Sequence, residues 1–248
     1  VGWSSALRPS YTGHSLPVFV FQPDHRITDV PVVFCLGFGA GALTPSTPTQ
    51  LELLGTVLTG VVVLCPSLTT DNTDFGNAAS LTAITDLLGW SAAQYGTRTD
   101  KVGYMGGSMG AFRALNHIRY NPSILAACAL AIPALDLQGI HDRNPLGVAA
   151  TLEAAYGGHA GYLAALDTHD PGRHPELYIP VADRITLWYG ADDLVTTAAE
   201  VEAFATGSGV DARNQGNIGH TGPGDPNLGD AMYFQEIVDW FAPLIWRA

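Results

Sequence analysis

"KVGYMGGSMGAFRAL", residues 101–115, is the stretch that decides the fold. Val102–Met105 is a short apolar run of strand character, and beyond it Phe112, Leu115 and Ile118 recur at helical spacing. Between them Gly106-Gly107-Ser108-Met109-Gly110 fits G-x-S-x-G. A reactive serine must stand on a turn sharp enough to lift its hydroxyl clear of a sheet, in a strained backbone conformation. Side chains two residues before and after it would then collide with the strand and the helix. Gly106 and Gly110 read as clearance for Ser108. A tight turn in which the serine merely caps the helix spells the same letters without chemistry. The strand–turn–helix setting favours the first reading.

Working outward, β-rich runs recur at Leu16–Phe21, Pro31–Leu36, Val61–Cys65, Leu125–Ile132, Ile185–Tyr189 and Val210–Asn214. Most are almost continuously apolar, as strands covered on both faces are. Helical patterns separate the later ones: Leu81, Ile84, Leu87 and Leu88 up to the breaker Gly96, then a capping box at Thr197 and Glu200. A final helix has Asp225 as cap, Pro226 in its first turn and an apolar stripe through Phe234, Ile237, Val238, Phe241 and Ile245. This order predicts an α/β fold: a mostly parallel, twisted sheet with helices on both faces, in one domain over 1–248. Residues 134–180 hold no strand pattern but two short helical ones, Leu146–Tyr156 and Ala160–Leu166. They read as a small helical cap, or lid, inserted before the penultimate strand.

Composition narrows the function. Apolar residues make up 47% of the 248 and charged residues 14%, which excludes a disordered chain. The net charge is −12 and Lys101 is the single lysine, so the chain has no basic surface for nucleic acid. No apolar run is long enough to span a bilayer, and no signal-peptide pattern opens the chain, which begins at Val1 as a processed or excised chain would. Compartment and oligomeric state stay open. Cys35, Cys65 and Cys128 lie in apolar runs and read as buried free thiols, with a Cys35–Cys65 bridge as the lesser alternative.

A serine hydroxyl needs a base, and the base an orienting acid. Both follow downstream. His220 lies in the glycine-rich loop "NIGHTGPGD" after the last predicted strand, and Asp192 and Asp193 follow Gly190 at the end of "ITLWY". Asp193 is preferred because the chain must leave the strand before a side chain can turn inward; Asp192 is the alternative and Asp136 the reserve. For most of the other seven histidines the expected role is at the surface or as a cap. An oxyanion needs two backbone N–H donors. Met109 supplies one, and Phe38, in the loop after Pro31–Leu36, the other. Gly37 to Ala42 also spells G-x-G-x-x-A, but Thr44-Pro45 delays any helix and the next strand ends in Leu64-Cys65-Pro66 without a carboxylate, which argues against a dinucleotide site. His169-Asp170 and His174 lack metal-ligand spacing.

Gly37-Phe38-Gly39, the Gly106–Gly110 elbow, Gly190-Ala191-Asp192-Asp193 and Gly219-His220 together resemble the α/β-hydrolase superfamily, over nearly the whole chain. The resemblance implies an esterase- or lipase-like serine hydrolase with Ser108 as nucleophile, Asp193 as acid and His220 as base. It implies a small-molecule or lipid-like ester as substrate, an acyl-serine intermediate, and neither metal nor organic cofactor. The acid position matches members in which glycine precedes the aspartate by three. Leu36 departs from members that carry histidine before the oxyanion-loop glycine. Thioesterase, amidase and acyltransferase chemistry use the same three residues, and a non-catalytic binding or structural module shares the fold. Tyr156, Tyr162 and Leu163 in the cap fit either an acyl-binding wall or the cap's own core.

Overall fold

Near-continuous apolar runs have no polar face to give to water, so they pair inside a sheet and take cover from both sides. The computed structural model describes residues 3–8, 10, 11, 15, 17–35, 37, 58–68, 73–220 and 231–248. Its strands are β1 (Trp3–Arg8), β2 (Val18–Pro23), β3 (Val32–Cys35), β4 (Val63–Pro66), β5 (Val102–Ser108), β6 (Leu125–Pro133), β7 (Ile185–Tyr189) and β8 (Asp211–Asn214). They form one sheet in the order β1-β2-β4-β3-β5-β6-β7-β8. β2 pairs antiparallel with both β1 and β4, and all pairs from β4 to β8 are parallel. Because β4 lies outside β3, the strand order reverses there, and β3 comes to lie directly beside β5, with Cys35 opposite Gly106. A reversal of this kind opens a crevice at the carboxyl ends of the strands.

The helices are α1 (Ala78–Tyr95), α2 (Gly110–Tyr120), α3 (Leu137–Arg143), α4 (Ala149–Ala155), α5 (His159–His169), α6 (Ala198–Ser208) and α7 (Ala231–Arg247). Alternation along each strand sends side chains to two cores. Val33, Cys35, Tyr104 and Leu187 join Leu87 of α1, Leu115 of α2 and Phe204 of α6 on one face. Val32, Phe34, Met105 and Trp188 join Ile237, Phe241 and Ile245 of α7 on the other. The expected fold class is what the chain adopts. Phe112, Leu115 and Ile118 of α2 are all buried; each contributes about 1.5–3 kcal/mol over an exposed position. Asn77 caps α1, its side chain accepting from Ser80 N–H, and Gly96 ends it at φ 63°. The capping box of Thr197 and Glu200 opens α6. Asp225 and Pro226 lie outside the described residues.

The three cysteines are free and buried. Cys35 belongs to one core and Cys65 to the other, so the sheet itself separates them and rules out the bridge. Burial pushes the Cys35 thiol up to about 12.

Strand β1 escaped the sequence reading. WSSALR has no continuous apolar run, because an edge strand pairs on one side only and its described residues are exposed or half-buried. Between β6 and β7 the chain forms α3, α4 and α5 with three 3₁₀ segments, Pro145–Gly147, Pro171–Arg173 and Pro175–Arg184. Leu137, Ile140, Val148, Leu152, Tyr162 and Leu166 of this segment form a third apolar cluster, packed on Met109 and Phe112 at the start of α2.

His117 of α2 is buried on the first core, with Nδ1 2.7 Å from the Tyr104 hydroxyl and Nε2 3.1 Å from Thr85 Oγ1. Burial lowers its pKa from 6.5 to about 4. Between those values the unfolded chain holds the proton and the folded chain does not. The stability it contributes is therefore present above pH 6.5 and lost as pH falls through about 4. The loss amounts to about 3 kcal/mol. His117→Gln should flatten the stability profile across this window, and urea denaturation at a series of pH values checks it.

Candidate active site

The site starts from a steric problem at the end of β5. The chain passes from strand to α2 within two residues, and Ser108 takes the corner at φ 50°. A non-glycine residue in this region costs about 1–3 kcal/mol, so the neighbourhood has to hold it. Ser108 carbonyl accepts from Ala134 N–H at 3.0 Å, and Met109 carbonyl accepts from Phe112 N–H at 3.1 Å. A Cβ at Gly106 would stand 2.6 Å from the Cys35 carbonyl oxygen, so β3 leaves room only for glycine there. Gly110, buried, begins α2. Gly37 lies beside the elbow, its Cβ position 3.7 Å from Ser108 Cβ. Phe38 and Leu36 are outside the described residues.

His220 and Asp193 come from the ends of neighbouring strands. After β7 the chain turns through Gly190, where a Cβ would overlap the Ile218 carbonyl oxygen. That close approach seats the loop after β8: Gln215 N–H donates to Tyr189 O at 2.8 Å, and Ala191 N–H to Gly216 O at 2.8 Å. His220 at the end of this loop turns Nε2 to within 2.7 Å of Ser108 Oγ, and Nδ1 to within 2.8 Å of Asp193 Oδ2. Asp193 Oδ1 accepts from Val195 N–H at 2.8 Å and Thr196 N–H at 3.0 Å. With a carboxylate accepting at Nδ1, that nitrogen carries the proton and Nε2 is left to accept from the serine. The imidazole side chain is 10% exposed and the carboxylate 1%, which keeps water from competing for either bond. Asp192 is exposed, and Asp136 accepts from Gly139 N–H at the start of α3.

No protein-family model matches the chain, and no curated protein matches it in sequence. Solved structures do. MPT51 of Mycobacterium tuberculosis superposes with a TM-score of 0.68 at 15% identity, over 99% of both chains. An S-formylglutathione hydrolase from Agrobacterium tumefaciens gives 0.66 at 15% identity, over 98% of this chain and 95% of the other. Carboxyl esterase 2 of the fungus Tuber melanosporum gives 0.67 at 14% identity, over 98% and 86%. The chain has the α/β-hydrolase fold.

Within this hydrolase fold, Ser108, His220 and Asp193 lie at the carboxyl-end rim of the sheet. A cavity of about 40 Å³ adjoins Ser108 and His220, walled by Phe75, Met109 and Ala134 together with Ile140, Pro145 and Val148 from the segment after β6. Tyr162 is buried in that segment's own apolar cluster and Tyr156 packs against it, while Leu163 is exposed. The internal-core reading holds for Tyr162 and Tyr156, and neither reading holds for the exposed Leu163. Arg143 ties α3 to the loop that carries Asp193, donating to Glu200 Oε1 at 2.6 Å and Val195 O at 2.8 Å.

Sequence reading missed one support of this site. Asp74 and Arg113 form a fully buried ion pair behind the elbow, in which the guanidinium Nε donates to Asp74 Oδ1 at 3.0 Å. Asp74 Oδ1 also accepts from Gly76 N–H at 3.0 Å. Burial alone would raise the Asp74 pKa; the Arg113 charge and these hydrogen bonds outweigh it and hold the carboxyl below its usual range. The pair fixes the turn that carries Phe75, at φ 48°, into the cavity wall. Asp74→Ala removes the carboxylate that faces this buried cation and should lower stability by about 3–5 kcal/mol, read by urea denaturation.

Proposed function

We propose that the protein is a serine hydrolase that cleaves carboxylic esters, with Ser108 as nucleophile, His220 as general base and acid, and Asp193 as the group that orients the imidazole. One observation carries the reading: the serial contacts of 2.7 Å and 2.8 Å from hydroxyl to imidazole to carboxylate. In the first half-reaction His220 Nε2 takes the Ser108 proton while Oγ attacks the carbonyl carbon. The oxyanion is held by Met109 N–H, at the α2 N-terminus where helical N–H groups lack intrahelical partners, and by the N–H of Phe38, the residue after Gly37 in the sequence. The tetrahedral species collapses, the C–O bond to the alcohol breaks, and His220 returns its proton to the leaving oxygen. Water, deprotonated by the same nitrogen, then attacks the acyl-serine; the acyl C–Oγ bond breaks, His220 returns the proton to Ser108 Oγ, and the acid is freed. Asp193 holds the tautomer and offsets the charge of the imidazolium.

The apolar wall around Ser108 suits a small-molecule or lipid-like ester. Residues 134–180 act as the cap of a single domain over 1–248, since Ile140, Pro145 and Val148 close one side of the cavity. The step sequence uses no metal and no organic cofactor. Among the described residues, no helix is long and apolar enough to cross a membrane. That hydrolases and esterases are among the proteins of similar fold supports the reading. A panel of p-nitrophenyl esters of increasing acyl length tests it: hydrolysis by wild type is expected, and a protein silent on every member would favour a non-catalytic module.

A further inference from the structure

A second cluster of chemistry-bearing side chains lies apart from the three rim residues, in the helical segment between β6 and β7. His141 belongs to the last turn of α3, Glu153 to α4, and His159 opens α5. His141 Nε2 stands 2.9 Å and His159 Nδ1 2.8 Å from the same carboxylate oxygen, Glu153 Oε1. One ligand atom from each lies within 4.8 Å of the others. Donor atoms about 2.0–2.1 Å from a tetrahedral ion sit about 3.3 Å apart, so opening these contacts by about half an ångström makes room for one.

The surroundings fit the same use. The His141 ring stacks on buried Tyr162, with centroids 4.5 Å apart and planes within 18°, which fixes its direction. Its other nitrogen, Nδ1, faces Asp142 Oδ1 at 3.4 Å, the outer carboxylate that commonly orients a ligating imidazole. His141 and Glu153 side chains are 20% and 29% exposed, while His159 at 62% leaves the cluster open to solvent and gives an ion a way in. Two imidazoles and one carboxylate favour a transition metal over calcium or magnesium.

We propose that His141, Glu153 and His159 bind one divalent transition-metal ion of the Zn²⁺ class, with water completing the coordination, and that the ion ties α3, α4 and α5 together. The site is structural and takes no part in ester hydrolysis, so it stands independently of the proposed catalytic reading. Its consequence is local: Ile140, next to His141, and Val148, at the start of α4, both wall the cavity beside Ser108.

Titration of untagged, chelator-treated full chain with ZnCl₂ by calorimetry tests this, with CoCl₂ absorbance as a second readout. Wild type and His220→Ala should each bind one ion, give the visible bands of four-coordinate Co²⁺, and melt at higher temperature as Zn²⁺ is added. Asp142→Asn should bind about 10–100-fold more weakly. Glu153→Gln and His159→Ala should lose binding while keeping the wild-type circular dichroism spectrum; the exposed His159 makes the second variant secure against misfolding. Absence of binding by wild type, binding that survives in His159→Ala, or binding lost in His220→Ala would each overturn the proposal.

Discussion

Replacing Ser108 by alanine should lower kcat/KM on a p-nitrophenyl ester by on the order of 10⁴–10⁶-fold, measured by steady-state kinetics. The argument is that the remaining groups cannot substitute for the hydroxyl. Without Oγ no acyl-enzyme forms, His220 can only activate water directly, and what survives is the contribution of binding and of the oxyanion donors. Any pre-steady-state burst of nitrophenol should vanish with it. Stability should hardly move, because alanine faces the same strained φ of 50° and only one half-buried oxygen is lost. A variant that unfolds more easily would point instead to a packing role for Ser108, so a urea melt belongs beside the kinetics.

Asp193→Asn should cost about 10⁴-fold in kcat, by a different route. The amide oxygen can keep the bonds that Asp193 Oδ1 accepts from Val195 and Thr196 N–H, so the loop should retain its shape. The amide nitrogen then faces His220 Nδ1 as a donor. That nitrogen must accept, the ring proton moves to Nε2, and the atom 2.7 Å from Ser108 Oγ can no longer take a proton from it. Asp192→Asn serves as the control: Asp192 is exposed, and its replacement should leave turnover within about twofold of wild type, since surface changes away from such features are small. Comparable losses in both variants would contradict the assignment of the acid.

How much of this could be read from the sequence follows from how local each signal is. The elbow was legible because Gly106 answers a steric demand inside five residues: a Cβ there would stand 2.6 Å from the Cys35 carbonyl oxygen of β3. His220 was legible from its place after a strand in a short glycine-rich loop. Asp193 and Asp192 are adjacent, and only the inward turn of one carboxylate onto Val195 and Thr196 N–H separates them. β1 lacked a signal because its edge position asks for no buried face. Asp74 and Arg113 are 39 positions apart, and neither stretch hints that a charge would be taken out of water there. His141, Glu153 and His159 come from three short helices with no ligand spacing between them, so only the packing of the inserted segment brings them to one point. His117 departs from the surface or capping role expected of most of the histidines: it lies buried beside Leu115 and Ile118, where its ring reaches Tyr104 and Thr85.

The central claim is that the Ser108 oxygen is a nucleophile made reactive by the imidazole beside it. Intact-mass analysis of wild type after treatment with a fluorophosphonate, followed by peptide mapping, tests it most directly. One adduct per chain on the peptide containing Ser108, absent from Ser108→Ala and strongly slowed in His220→Ala, is the predicted result. An unmodified protein, or an adduct mapped to any other residue, would contradict it.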